Sequence, residues 1–385
     1  AEARVSRDGA RFALAPSLGH LGAGDVVTLE GGLYRIDRVE QAGALGIEAV
    51  RVEPAVYEPS DEAEERVTPR TFVAPAPVLP LFMDLPLMSG NEVPHQPHLA
   101  VSASPWPGSV AVYSSDTDAG YALKRILATR SVIGRTQTAL SSAAPGIWDR
   151  GPALRVKVSG ALDSVDPDRL LNGQNLMAIG DGSPANWELF QFADAVLVAP
   201  GSYDLTLRLR GQAGTDAAMP PVWPVGSHVV LMNGAPKQIE IGASERDLAR
   251  HYRIGPSRRS YDDPSYVHLV EAFAGVGLRP LAPVHVSARR TAGGDLAMSW
   301  IRRTRVDGDS WSGVDVPVGE TTEAYLLRVV QGASVLREVT LGQPGWTYPG
   351  GMQAADGAAP PFEIHVAQLS DSFGPGLFRR IVIDV

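Results

Sequence analysis

Residues 201–242 read GSYDLTLRLRGQAGTDAAMPPVWPVGSHVVLMNGAPKQIEIG, and this stretch decides the fold class. Residues 203–209 alternate between polar and apolar side chains, which is the period of a β-strand. A polar turn with two glycines follows at 210–216, and residues 228–232 form a second apolar run after a proline-rich loop. The pattern predicts two strands joined by a glycine-bent connection, as in a β-hairpin.

Similar strand signals recur on both sides of this stretch. Within residues 91–278 they lie roughly 10 residues apart with turn residues between them, which is typical of a β-sandwich or β-barrel. The candidate strands are 98–101, 110–113, 126–132, 153–158, 175–179, 188–193, 195–198, 203–208 and 229–232. Short helices are predicted at 166–171 and, behind a Ser244 cap, at 245–250. We therefore expect an all-β protein of sandwich or barrel modules with few short helices, and a central β-rich domain at 91–278.

The N-terminal region has its own strand pattern. Residues 26–29, 34–39 and 47–52 read as three strands, which predicts a small β-domain within residues 1–58. Residues 59–90 begin acidic and become proline-rich. Because proline fixes φ and disfavours helix in the preceding residue, this composition predicts a semi-rigid connector.

Residues 279–385 read as a separate sandwich. Seven strand candidates, one of them carrying an inward-facing Trp300, lie within about 100 residues. They are 283–288, 295–302, 324–330, 335–341, 347–348, 362–369 and 379–385. The pattern resembles a fibronectin type III domain, although the long insertion at 302–321 makes the third strand hard to place.

Composition limits the classes of function. The 385 residues carry a net charge of −9, which disfavours general nucleic-acid binding because that needs a basic surface. There is no cysteine, which excludes disulfides and thiol nucleophiles. No apolar run reaches the roughly 18–20 residues of a membrane span. The sequence begins AEARVSRDGA, without Met, so we expect the chain to begin inside a longer polypeptide or to have been processed.

Motifs for nucleotide binding and nucleophilic catalysis do not emerge. The glycine pairs at 293–294 and 350–351 fit neither a P-loop nor a dinucleotide fingerprint, and we interpret them as turns. There is no Gly-x-Ser-x-Gly elbow. The sequence predicts no cofactor.

Metal ligation is weakly indicated. His95 and His98 have the spacing of two ligands on one loop, but no carboxylate-rich partner segment stands out, so packing or solvated histidines are the favoured interpretation. Asp116, Asp118 and Asp181 lie in polar stretches without the spacing of a calcium loop. We interpret these as turn-forming side chains and predict no metal site.

Glycoside hydrolysis requires two carboxylates that face each other across a cleft. Asp262 and Asp263 together with Glu188 form one candidate set. A second set is Asp307, Asp309 and Asp315 near Trp311. For the second set a long polar loop with one hydrophobic anchor is the favoured interpretation, and we predict no catalytic residue.

The densest basic cluster is residues 302–305, with Arg289 and Arg290 nearby. Such a cluster could contact DNA, anionic envelope glycans or an acidic partner. The favoured alternative is a solvated strand edge balanced by the acidic residues at 307, 309 and 315.

Three segments together resemble the tail-tip proteins of phages, in particular the C-terminal part of the baseplate multidomain (megatron) proteins of gene transfer agents. They are GDVVTLEGG…VRVEPAVYEP within 24–59, LRLRGQAGTD at 207–216, and PVHVSARR…DLAMSWIRRTR within 283–305. The resemblance implies that residues 1–58 end a tail-hub-like β-domain, although any barrel or sandwich edge would give the same strand pattern.

The resemblance further implies a structural baseplate component at the tail tip of a virion-like particle. It would be a homotrimer around the DNA channel, in contact with hub and distal tail proteins. It would meet glycans or surface proteins of the recipient envelope, and DNA would pass without sequence-specific binding. A glycosidase-like barrel would lie upstream, so this segment is expected not to be an enzyme. The alternative is a glycan-binding adhesin or a cell-wall glycoside hydrolase module.

Overall fold

The computed structural model describes residues 8–57, 76–306, 308 and 315–384. The chain divides into two compact units, residues 1–72 and residues 73–385. Nearly all regular structure in the described residues is β-strand, the strand pairings are antiparallel, and the two α-helices have five and six residues. The predicted all-β fold with few short helices is confirmed.

The first unit is a four-stranded sheet. Its strands are β1 (Gly9–Leu14), β2 (Val26–Leu29), β3 (Gly32–Gln41) and β4 (Leu45–Val52), in the order β1-β4-β3-β2. Ile36, Ile47 and Ala49 are buried together because alternation along β3 and β4 places them on one face. The three strands expected from the sequence are present, and β1 is an additional one that pairs with β4.

The second unit begins with strands of a sandwich module. They are β5 (Leu79–Met83), β6 (His98–Ser102), β7 (Val110–Ser115) and β8 (Ala122–Leu127). The connector prediction for 59–90 is wrong at β5, because Phe82 and Met83 are buried in the core. Pro80 fits there because β5 is the edge strand of its sheet and needs no ladder donor at that position. Residues 58–75 of the predicted connector lie outside the described residues.

The chain next forms a barrel module. Its strands are β9 (Ile133–Thr136), β10 (Leu140–Ser141), β11 (Trp148–Asp149), β12 (Leu154–Val158), β13 (Leu176–Gly180), β14 (Trp187–Ala199), β15 (Ser202–Gln212), β16 (Val222–Trp223) and β17 (His228–Leu231). Six of them close a ring in the order β15-β12-β9-β17-β13-β14, because β14 also pairs with β15. The buried core of the module includes Val156, Ile179 and Phe190.

After the barrel the chain returns to the sandwich module through three strands. They are β18 (Lys237–Gln238), β19 (Arg250–Pro256) and β20 (Val267–Glu271). The module consists of a three-stranded sheet, β18-β6-β5, and a four-stranded sheet, β20-β19-β7-β8, with Val101, Val112 and Ile254 in the core. The barrel module is therefore an insertion between β8 and β18, and the region expected as one domain at 91–278 contains two modules.

The small sheet of the sandwich module is buried on both faces. All five residues of β6 are buried. Leu99 and Val101 belong to the sandwich core, whereas Ala100 packs with Ile133 and Val230 of the barrel module. A shared apolar layer therefore joins the two modules.

Residues 284–383 form the C-terminal sandwich. Its strands are β21 (Val284–Arg290), β22 (Leu296–Ile301), β23 (Tyr325–Gln331), β24 (Ser334–Leu341), β25 (Gly345–Tyr348), β26 (Phe362–Ser370), β27 (Gly374–Pro375) and β28 (Arg379–Ile383). One sheet has the order β21-β22-β25, and the other has β24-β23-β26 with β28 beside β26. Three strands facing four, with Trp300 buried between the sheets, is the fibronectin type III arrangement expected from the sequence. The candidate strand at 324–330 is β23, and it is the third long strand of the sandwich, after the insertion that made this position hard to assign.

The two helices are α1 (Pro167–Leu171) and α2 (Gly350–Ala355). The prediction of α1 is confirmed, and Asp166 caps it by accepting a hydrogen bond of 2.9 Å from the backbone N–H of Arg169. The helix predicted at 245–250 is wrong. A single 3₁₀ turn at Ala243–Glu245 is followed by a turn in which Asp247 has a φ of +58°, and β19 begins at Arg250, which pairs with Glu271 of β20.

Candidate functional site

The segment LRLRG at 207–211 contributes two arginines to a buried ion-pair network inside the barrel module. Arg208 and Arg210 are two residues apart on β15, and their side chains are 1% and 0% exposed. Arg210 donates to both carboxylate oxygens of Glu188, at 2.7 and 2.8 Å. The indole N–H of Trp223 donates to Glu188 Oε2 at 2.6 Å, so β14, β15 and β16 meet at one carboxylate.

The other arginine of this segment, Arg208, has a partner of its own. Arg208 donates to Asp149 Oδ2 at 2.9 Å and to the backbone oxygen of Leu205 at 2.7 Å. Burial tends to raise the pKa of Asp149. Hydrogen bonds from Arg208 and Gly151 and the charges of Arg208 and Arg210 outweigh it and hold that pKa below its ordinary value. Both arginines therefore connect strands of the barrel module.

This network corrects the first glycosidase hypothesis. Glu188 has no exposed surface, and both of its oxygens accept hydrogen bonds within the protein. Asp262 and Asp263 lie on the 256–266 loop of the sandwich module, where Asp263 accepts from Ser265 at 2.6 Å. These carboxylates do not face each other across a cleft. Of the second set, Asp307, Asp309 and Trp311 lie outside the described residues, and Asp315 is 90% exposed.

The basic cluster at 302–305 makes ion pairs within the second unit. Arg303 reaches Asp216 of the barrel module at 3.0 Å and donates to the backbone oxygen of Ala282 at 2.7 Å. Arg305 pairs with Glu320 at 3.0 Å, and its side chain is only 14% exposed. Arg302 pairs with Asp315 at 3.2 Å. The three arginines are thus mostly buried and paired within the protein, so the expected solvated strand edge is wrong for them, and only Asp315 is strongly exposed.

The predicted histidine pair is not part of a ligand set in the described residues. His98 is buried, and burial lowers its pKa to about 4, against the opposing charge of Glu92. The Nε2 atom of His95 lies 3.1 Å from the backbone oxygen of Ile241. Asp181 forms the expected turn by accepting from the backbone N–H of Ser183 at 2.8 Å.

The four-stranded sheet of the sandwich module carries a polar cluster on its outer face. His251 and Arg253 lie on that face of β19, since Tyr252 between them is buried in the core. His268 on β20 is the register partner of Arg253. Asp118 lies in the turn between β7 and β8, so two strands and one turn bring these side chains to one place.

The distances within this cluster are short. His251 Nδ1 lies 3.0 Å from His268 Nε2, and the two rings are stacked with centroids 5.2 Å apart. Asp118 Oδ1 lies 3.8 Å from His268 Nε2 and accepts a hydrogen bond of 3.0 Å from Arg253. Tyr121 also donates its hydroxyl proton to Asp118.

Hydrogen bonds dominate the electrostatics of the cluster. The bond from Tyr121, followed by that from Arg253, lowers the pKa of Asp118 to about 2. Bonds with Tyr121 and Asp118 in turn raise the pKa of Arg253. The guanidinium lies over the ring of Tyr121 at 5.2 Å, and Tyr261 packs against that ring. Asp118 is therefore a fixed, fully ionised acceptor at neutral pH.

Asp118, His251 and His268 offer three ligand atoms that lie within 4.8 Å of one another. Within the described ranges, no other group of three such side chains meets this condition. From the sequence, Asp118 was predicted to be a turn residue, and neither His251 nor His268 was predicted to have a role. The spacing of His251 and Arg253, two apart on one strand, could have indicated that they share a face. Their partner Asp118 could not be identified, because the inserted barrel module separates it from them in the sequence.

Two family models match parts of the chain. The one described as "Putative phage tail protein" matches residues 1–39, and the one described as "Rcc01698-like, C-terminal" matches residues 131–230. The first match covers β1, β2 and most of β3, and the second coincides with the barrel module. These matches indicate a phage-tail-like protein, which fits a virion-associated location.

The other comparisons add little. No curated protein matches the chain. Among solved structures, the crystal structure of the FN1–FN3 domains of chicken CNTN1 covers 75% of this chain and 77% of that chain, at 11% identity and a TM-score of 0.19. No helix in the described part of the chain is long and apolar enough to span a membrane.

Proposed function

We propose that this chain is a structural component of the tail tip of a phage-like particle, in the baseplate of a gene transfer agent. It forms part of the hub around the DNA channel as a homotrimer, and its outer modules meet the recipient envelope. The observation that carries the proposal is the agreement between a family match and a structural module. The Rcc01698-like match at 131–230 coincides with the barrel module, and the phage tail match lies on the N-terminal sheet.

The contacts between modules within the second unit support a mechanical role. The barrel module shares an apolar layer with the sandwich module through Ala100, Ile133 and Val230. Arg303 ties it to the C-terminal sandwich through Asp216. Because extensive apolar and ionic contacts restrict relative domain motion, the three modules would transmit force as one body.

We propose no catalysis for the described residues. Glu188, one of the carboxylates considered for glycoside hydrolysis, is fully paired with Arg210 and Trp223. Asp118 is held ionised by its neighbours, and a general acid needs a pKa near the working pH. The work of the chain in this proposal is mechanical: it positions modules and passes DNA without reading its sequence.

Electron microscopy of particles that carry this chain tests the proposal. We expect density for the barrel module and the C-terminal sandwich at the tail tip, repeated three times around the channel. Absence of the chain from purified particles would overturn the proposal, and a different symmetry would overturn the trimer. The same preparation can be incubated with peptidoglycan, where binding or hydrolysis that requires this chain would favour the adhesin or hydrolase alternative.

A further inference from the structure

We propose that Asp118, His251 and His268 form a binding site for a divalent transition metal ion, with Zn²⁺ as the ion that fits their chemistry best. Two imidazoles and one carboxylate are a common ligand set for zinc, whereas Ca²⁺ and Mg²⁺ prefer sites built from oxygen atoms. The inference goes beyond the proposed structural role and does not depend on it.

The distances between the ligand atoms suit a shared ion. Zinc–ligand bonds of about 2.0–2.1 Å place two ligand atoms on one ion roughly 3–3.5 Å apart. His251 Nδ1 and His268 Nε2 are separated by 3.0 Å, and His268 Nε2 lies 3.8 Å from Asp118 Oδ1. All three ligand atoms lie within 4.8 Å of one another, so modest side-chain rotations would bring them to the spacing that one shared ion requires.

The residues around Asp118 orient its carboxylate for binding a metal ion. Arg253 and Tyr121 both donate to Asp118, which fixes its orientation and keeps it ionised. Metal-bound carboxylates are commonly hydrogen-bonded in this way, and such outer partners are worth 10–100-fold in affinity. The side chains of Asp118 and His268 are 48% and 39% exposed, so an ion can enter from solvent without unfolding the sheet.

The local charge limits the expected affinity. Arg253 brings one positive charge next to the ion, and Asp262 offsets part of it from 3.9 Å. Three protein ligands also leave a coordination position open to solvent. We therefore expect reversible binding weaker than that of a closed four-ligand site, and the bound ion would fasten the turn between β7 and β8 to the hairpin of β19 and β20.

Isothermal titration of the metal-free full chain with Zn²⁺ tests the proposal. We expect one equivalent to bind, and His251→Ala or His268→Ala to weaken the binding at least 10-fold. His20→Ala is the matched control, because His20 is an exposed histidine on the other unit, and it should leave binding unchanged. Equal binding by the native chain and the His251→Ala/His268→Ala double variant would overturn the proposal.

Two further measurements separate a lost ligand from a lost fold. Asp118→Asn keeps the shape of the side chain and removes its charge, so it should also weaken Zn²⁺ binding at least 10-fold. Circular dichroism in EDTA should show the same thermal midpoint for the native chain and all variants. Co²⁺ substituted for Zn²⁺ should give visible absorption that each ligand substitution abolishes, and absorption that persists in all three variants would contradict the assignment.

Discussion

The guanidinium of Arg303, which follows β22 of the C-terminal sandwich, lies 3.0 Å from the carboxylate of Asp216 in the barrel module. The two residues are 87 positions apart, and Arg303 also donates to the backbone oxygen of Ala282 between the modules. The most basic segment of the sequence thus helps to hold two modules together. We therefore expect substitution of Arg303 to lower the stability of the contact between them.

Arg303→Gln should lower the stability of that contact. Asp216 is only 6% exposed, so loss of its partner leaves a mostly buried carboxylate, and we expect a loss of about 1–2 kcal/mol in the free energy of unfolding. Urea unfolding measures the loss, and limited proteolysis should show faster cleavage between the modules. Arg289→Gln, at an exposed position of the same sandwich, is the control and should change stability by less than about 0.5 kcal/mol.

Arg210→Met should be among the most damaging substitutions in the barrel module. It removes both hydrogen bonds to Glu188 and leaves that carboxylate buried beside Trp223, which costs about 3–5 kcal/mol for a buried pair broken on one side. The measurement is the shift of the unfolding midpoint in urea.

The companion variants test the reason for that loss. The double variant Glu188→Gln/Arg210→Met removes both charges and should recover part of the stability. Arg155→Gln breaks a bidentate pair with Asp204 whose arginine is 47% exposed, and it should cost much less stability than Arg210→Met because solvent screens the pair. A double variant no more stable than Arg210→Met would show that packing rather than the unpaired charge causes the damage.

Local periodicity was enough to predict much of the fold. The strands β3 and β4 were predictable because one face is apolar and the other polar, which is the direct signature of a half-buried sheet. The C-terminal sandwich was predictable for the same reason, with Trp300 correctly placed inside.

The insertion of the barrel module could not be predicted from local pattern. The chain returns to the sandwich module through β19, which pairs with β7, and through β18, whose contact with β6 consists of two register pairs, Lys237 with Leu99 and Gln238 with His98. Two residues carry too little periodic signal to identify a partner more than 100 positions away. Arg208 and Arg210 were unpredictable for another reason, since alternation assigns charged side chains to the solvent face unless their buried partners are known.

His98 should make stability depend on pH in the weakly acidic range. Its imidazole is buried, its Nδ1 atom has no hydrogen-bond partner among the described residues, and burial lowers its pKa from 6.5 to about 4. The unfolded chain takes up a proton below pH 6.5 and the folded chain does not until about pH 4. The stability that the neutral His98 imidazole contributes is therefore fully present above pH 6.5. As the pH falls towards 4, the free energy of unfolding drops by roughly 3 kcal/mol.

Unfolding in urea at a series of pH values checks this dependence. His98→Gln removes the titrating group, so its stability should fall about 3 kcal/mol less than that of the native chain between pH 7 and pH 4. Parallel curves for the two proteins would contradict the role of His98. His20→Ala, at an exposed position, should follow the native curve.

Gly211, the glycine of the LRLRG segment, should not tolerate a side chain. Its φ is +62°, and a Cβ at this position would lie 2.7 Å from the Cα of Asp216, where the neighbouring backbone cannot move aside. Gly332 separates the effect of the backbone conformation from that of the close contact, because its φ is also positive, at +60°, but a Cβ there would meet nothing within 4 Å. Gly332→Ala should cost about 1–2 kcal/mol for the left-handed backbone alone. Gly211→Ala should cost roughly 1–3 kcal/mol more, since it adds the clash in a packed turn. Equal losses in urea unfolding would mean that backbone conformation, and not the close approach of Asp216, explains why glycine stands at 211.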